Sequence, residues 1–309
     1  MDIRSEKKLK EVLSLLENGN PTEAKVILNE MIKYDFDTKE LDFTIRCCNF
    51  WIDIIADAAL INNPFERGEE LLTKWKEFIE FVNGWDNFYE PSYYAVCRGI
   101  FSLARQCYSS MLSEKDVVQR SEINRKLGLC YKKLGDYENA KQCLVTANSL
   151  HPVQSAVIAD LADCYALCGE DKEAKVLFRE AFYIDFKRID LEFLDSRLIC
   201  RLADKVKGLG YGKDEVKAWI PVYGVLWGVF TIKRTMKYQE TVKLKQEIYA
   251  LENELKTPAR ANNLITPRLI NLYFWLIDLY RANNDDKLVL QTLLRIKILA
   301  PDIYNLYCR

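Results

Sequence analysis

Apolar residues recur along this chain every three to four positions with charged residues between them, the period of amphipathic α-helices and not the alternation of strands. Leu127, Tyr131 and Leu134 stand at i, i+4, i+7. Val242, Ile248, Leu251 and Leu255 line one side of an otherwise charged helix over 238–256. Between the N-terminal region and residue 112 the pattern predicts three long helices, over 40–61, 65–82 and 91–112, broken at Asn62-Asn63-Pro64 and from Asn83-Gly84 to Pro91. Their aromatic residues, Phe43, Phe50, Trp51, Trp75, Phe78, Phe81, Tyr93, Tyr94 and Phe101, read as packing between stacked helices. A further helix is expected over 191–206, ended by Gly208-Leu209-Gly210-Tyr211-Gly212-Lys213.

The middle of the chain repeats itself. When residues 121–154 are set above 155–188, Ser121, Leu127, Cys130, Tyr131, Gly135, Ala140, Lys141 and Ala147 recur as Ser155, Leu161, Cys164, Tyr165, Gly169, Ala174, Lys175 and Ala181. Leu144 aligns with Phe178 and Gly128 with Ala162. Physically this is a helical hairpin. Gly135 closes the first helix as a left-handed cap, and Asp136 offers an N-cap to the second. Ala140 and Ala147 are small where the two helices approach, and Leu144 fills the space between them.

Through Leu127-Gly128, Tyr131, Ala140, Leu144, Ala147 and Pro152, and again through Leu161-Ala162, Tyr165, Ala174, Phe178 and Ala181, the chain resembles the tetratricopeptide repeat family. It departs from the family pattern at Asn124 and Ile158, where Trp is frequent, and at Phe186, where Pro is preferred. The resemblance implies an all-α, right-handed superhelical solenoid of antiparallel helix pairs. Weaker copies are read at 5–38 (Leu15, Gly19, Ala24, Leu28, Met31, Phe36) and at 270–303 (Tyr273, Leu276, Ile277, Tyr280, Asn284, Val289, Leu293, Ile296, Pro301). The expected organisation has five segments. They are a degenerate helix pair at 1–38, non-consensus helical hairpins at 39–120, two tandem repeats at 121–188, a helix, Gly-rich turn, apolar segment and charged helix at 189–262, and a degenerate C-terminal pair at 263–309.

Composition narrows the chemistry. The chain has 309 residues, with 44 Lys and Arg against 45 Asp and Glu, so no bulk field draws it to nucleic acid or anionic lipid. A single histidine, His151, removes most His-based catalysis, and its place just before Pro152 reads as a turn. Ten cysteines without a CxxC pair read as small apolar core residues in a reducing cytoplasm rather than metal ligands. The charged start, Met1 to Lys10, followed by amphipathic sequence, is not a secretory signal. The run 208–213 reads as a flexible turn rather than a phosphate loop, because Lys207 stands where such a loop's first Gly belongs and Asp214 where its Ser or Thr belongs. No catalytic residue, metal or cofactor is expected, and the chain is not read as an enzyme.

Two surfaces remain as candidates. In the resembled family, the first helices of successive repeats line a groove that holds a peptide or helix of a partner. Carried over by position, that groove shows Glu122, Arg125, Lys132 and Lys133 in the first copy and Asp160 and Asp163 in the second. Leu129 and Asp163 stand where the family's clamp for acidic C-terminal peptides needs Asn, so that clamp is not expected. The second surface is the most apolar window, 218–232, with Trp219, Val225, Leu226, Trp227 and Phe230 and a basic flank of Lys233, Arg234 and Lys237. It is too short to span a bilayer. It reads first as core, then as a protein-docking surface, then as a shallow membrane contact with the flank on anionic lipid. The expected function is a cytoplasmic, non-enzymatic adaptor or scaffold that binds a protein or peptide. A peripheral membrane-associated assembly factor is the alternative, and an enzyme with an unrecognised cleft stands further off.

Overall fold

The computed structural model of the chain describes residues 3–33, 39–256 and 263–308. Among these residues there are fifteen α-helices, two short 3-10 turns and no strand. The chain divides into two compact units, 1–152 and 153–309, and the division falls between the two tandem copies.

The first unit holds α1 (Ile3–Glu17), α2 (Pro21–Lys33), α3 (Lys39–Leu60), α4 (Pro64–Asn83), α5 (Glu90–Ser109), α6 (Val117–Lys133) and α7 (Tyr137–Leu150). The α4 helix starts where the turn residues predict, with Pro64 in its first turn and the Asn63 side chain accepting the Phe65 N–H at 2.9 Å. The aromatic side chains of α3, α4 and α5 do pack between helices. Trp51 and Trp75 stack with centroids 6.2 Å apart, Phe78 lies 5.5 Å from Trp51, and Phe101 meets Trp75 edge-on at 5.1 Å. Helix α1 approaches α5 so closely that a Cβ on Gly99 would stand 2.1 Å from the Leu16 carbonyl oxygen. Cys47, Cys48 and Cys130 lie in this core, and burial pushes the Cys48 thiol up to about 12.

The second unit holds α8 (Ser155–Leu167), α9 (Asp171–Asp185), 3-10 turns at Phe186–Arg188 and Leu191–Phe193, α10 (Arg197–Lys207), α11 (Lys213–Leu226), α12 (Tyr238–Leu255), α13 (Ile265–Ala282), α14 (Asp286–Leu299) and α15 (Pro301–Tyr307). The helix expected over 191–206 begins later, at Arg197. Its predicted first turn is replaced by the second 3-10 turn, and the Asp163 carboxylate takes the N–H groups of Asp195 and Ser196 just before α10 starts.

Four hairpins close in the same way. Asp136 N–H bonds back to Tyr131 O at 2.9 Å and Gly135 N–H to Lys132 O at 3.0 Å. Glu170 and Gly169 repeat the pair on Tyr165 and Ala166. So do Asn20 and Gly19 on Leu15 and Leu16, and Asp285 and Asn284 on Tyr280 and Arg281. In each case the closing residue has positive φ: Gly19 74°, Gly135 80°, Gly169 82° and Asn284 57°. The weak copies at either end therefore share the turn chemistry of the central pair. Phe36, placed in the first of them, lies outside the described residues.

The apolar window at 218–232 folds back on itself. Helix α11 carries it to Leu226, with Pro221 inside the helix, and Gly228 (φ 71°) turns the chain. Val229 and Phe230 then donate their N–H groups to Gly224 O, each at 2.8 Å, and the Phe230 ring covers the bare Gly224 Cα. The stretch that follows is pinned by charge. Arg179, 3% exposed, stacks over Trp275 at 4.6 Å, donates to Ile232 O at 3.3 Å and pairs with Asp278. Lys233 reaches the other Asp278 oxygen at 2.6 Å, and Arg234 bridges Glu180 at 3.0 Å and Glu240 at 2.9 Å. The Arg234 hydrogen bonds hold the Glu240 carboxyl below the usual carboxylate range.

Candidate partner-binding cleft

Helix α10 is strongly two-faced. Ile199, Leu202, Ala203 and Val206 are buried, while Arg197, Arg201 and Lys205 stand exposed at i, i+4, i+8. That spacing lines three cations along one edge at one-turn intervals, ~5–6 Å apart. The edge forms one wall of an open cavity of about 740 Å³ within the second unit. The end of α8 (Ala166, Leu167), the start of α9 (Asp171, Lys175) and the turn after α11 (Trp227, Gly228, Val229) form the rest.

The electrostatics of the cleft are unbalanced. Lys175, Arg197, Arg201 and Lys205 face it against two carboxylates, Asp171 and Asp195. None of the four cations pairs with a carboxylate among the described residues. The Lys205 ammonium lies 5.6 Å from the Trp227 ring centroid, and that ring is 37% exposed. The cleft therefore offers a row of unpaired positive charge beside a half-exposed indole over an apolar floor that includes the buried Leu202.

The α6–α7 hairpin is the best-formed copy of the repeating unit: Gly128 lets Leu144 pack against the bare backbone, and Ser121 Oγ donates to Ala147 O at 2.8 Å to tie the helices at their open end. Residues 123–153, almost all of that hairpin, match the family model for the tetratricopeptide repeat. The chain carries a tetratricopeptide repeat. No curated protein matches the sequence.

On the matched tetratricopeptide repeat, the residues expected to show in an open groove are placed otherwise. Arg125 and Lys132 are buried, at 8% and 2% exposure, and Arg125 is ion-paired with the half-buried Glu122 at 2.6 Å. Lys133 is half-buried. On the second copy Asp160 and Asp163 are buried. Asp163 acts as a strut: its Oδ2 accepts the Asp195 N–H at 2.9 Å and its Oδ1 the Ser196 N–H at 2.8 Å. Four of the six positions are therefore buried, and only Glu122 and Lys133 keep part of their side chains at the surface. Asp163→Asn keeps one acceptor but turns an amide N–H₂ toward the other backbone donor. It is expected to lower stability by about 2 kcal/mol in urea denaturation, against well under ~1 kcal/mol for Asp204→Asn, whose partner Lys207 is exposed.

The apolar window is also sorted residue by residue. Trp219 and Phe230 are buried and Val225 and Leu226 half-buried, so most of the window is core. Of the five candidate docking residues only Trp227 is exposed. Of the basic flank, Lys233 and Arg234 are engaged by Asp278, Glu180 and Glu240, while Lys237 is exposed. Among the described residues no helix is long and apolar enough to cross a membrane. No three His, Cys, Asp or Glu side chains among them come together as a metal site.

Sequence reasoning does not single out Arg197, Arg201 and Lys205. A signal for them exists, a row of cations at helical spacing opposite an apolar face. What the sequence lacks is any indication that Trp227 and Lys175, distant along the chain, face the same space.

Proposed function

We propose that the chain is a non-enzymatic protein-interaction module, an adaptor or scaffold, that holds a segment of a partner protein in the cleft between α8, α9, α10 and the turn after α11. Tetratricopeptide repeats generally mediate protein interactions, and the observation that carries the reading is this cleft, with its unpaired cations and half-exposed indole. Exposed aromatic and Arg side chains in a concave site are the residue types that dominate binding energy at interfaces. Ten free cysteines support a reducing compartment, and so a cytoplasmic protein.

The test is affinity capture from native extract with the full chain and with an Arg201→Glu, Trp227→Ala form. Arg201 is exposed, but Trp227 is only 37% exposed and packs on Tyr223 at 4.7 Å, so capture is compared at a temperature where thermal melts show both forms folded. Proteins held by the wild type and released by the variant support the cleft as the binding site. Equal retention by both forms overturns it.

A further inference from the structure

The chemistry of the cleft also says what kind of segment it takes. Its net excess of positive charge lies in one row, Arg197, Arg201 and Lys205, each side chain one helical turn beyond the last. These cations are unpaired, although ion pairs between successive turns are common elsewhere in the chain: Arg46 with Asp42, Lys74 with Glu77, Arg125 with Glu122 and Lys207 with Asp204. A row of like charges at adjacent turns is itself unfavourable by a few tenths of a kcal/mol per pair. Water and salt screen this exposed row in part, and opposite charge from a partner would relieve it further. Trp227 stands at the Lys205 end of the row and supplies an apolar stop.

We infer that the partner segment is an acidic amphipathic helix, with carboxylates at i, i+4, i+8 set against Arg197, Arg201 and Lys205 and an apolar side chain on the same face against Trp227. This rests on the reading of the cleft as the partner site. A helix matches because its own same-face spacing equals that of α10, so three pairs form without stretching either element. The row extends over only about two turns, against the long phosphate tracks of nucleic-acid surfaces, and the two carboxylates Asp171 and Asp195 interrupt the field such a track requires. Charge complementarity of this kind sets orientation and on-rate, while the indole contact supplies the apolar contribution.

The probe is a labelled synthetic helical peptide with three Glu at four-residue intervals and a Leu on the same face. It is titrated against the full chain by fluorescence anisotropy, at low and at high salt. The controls carry Gln for Glu, Lys for Glu, or the same residues with the Glu spacing scrambled. The Glu peptide should bind and weaken as salt rises. The Gln form should bind about tenfold more weakly, and Arg197→Ala with Arg201→Ala should cost the Glu peptide about tenfold. Arg197→Glu with Arg201→Glu should transfer the preference to the Lys peptide, a gain that misfolding cannot mimic. Equal binding of the Gln form or of the scrambled form overturns the acidic-helix inference, as does failure of the reversed variant to prefer Lys. If that happens while the Arg201→Glu, Trp227→Ala form still releases captured proteins, the cleft stands and only the partner's chemistry is overturned. If capture is also unchanged, the cleft reading falls with it.

Discussion

Asp278→Ala is expected to destabilise the second unit by about 3 kcal/mol, the usual cost of stripping one partner from a buried ion pair. Asp278 is the shared anion for Arg179 and Lys233. Lys233 is half-exposed and can turn to water, but the Arg179 side chain is 4% exposed and held between the Trp275 ring and the Ile232 carbonyl. Removing the carboxylate leaves a guanidinium with no escape route. The double change Arg179→Met with Asp278→Leu removes charge and counter-charge together and fills similar volume. It should recover most of the loss, since buried pairs often do no better than apolar replacements. Urea denaturation followed by far-UV circular dichroism measures both. A double variant as unstable as Asp278→Ala would show that the pair contributes more than its own neutralisation, for instance through the Ile232 carbonyl it satisfies. The pair also fixes the path of 231–237 after the apolar window, so hydrogen exchange in that stretch should rise in Asp278→Ala.

Gly99→Ala should be the most damaging single methyl in the first unit. Its Cβ would lie 2.1 Å from the Leu16 carbonyl oxygen and 3.1 Å from the Gly19 nitrogen, both backbone atoms at the turn that ends α1. A side chain could rotate aside, but backbone can yield only by moving α1 away from α5. Higher helix propensity returns about 1 kcal/mol to the alanine variant. Overpacking against rigid atoms costs about 1–3 kcal/mol or more, and the expected net loss is about 2 kcal/mol, with faster hydrogen exchange in α1. Gly128→Ala is the natural comparison. There the new Cβ meets Leu144 Cγ at 2.6 Å and the Ala140 carbonyl oxygen only at 3.1 Å, and the second copy already carries Ala162 at this position. Its cost should be about 1 kcal/mol or less. If the two variants proved equally mild, the contact between α1 and α5 would be softer than so short a distance implies.

The repeating unit and its turns are legible in the amino-acid sequence because they are local. Gly135 and Gly169 at a fixed interval, each followed by a residue that starts the next helix, set a hairpin by local chemistry alone, because positive φ and side-chain capping are decided within a few residues. The same local rule extends to the C-terminal hairpin, where Asn284 takes the glycine's place with a φ of 57°. The alternation of apolar and charged positions likewise specifies the long helices of the first unit and their aromatic seams.

Tertiary packing decides which polar side chains face water and which are consumed inside. Arg125, Lys132, Asp160 and Asp163 carry the sequence signature of a solvated helix face, yet they are buried, and Asp163 is spent on backbone donors more than thirty residues away. The pattern of a helix records only that one face is apolar. How many neighbours cover the remaining faces depends on contacts between elements far apart in the chain. The cleft has the same origin: Lys175, the α10 cations and Trp227 become one site only because α9, α10 and the turn after α11 are folded together, a juxtaposition that no local spacing encodes.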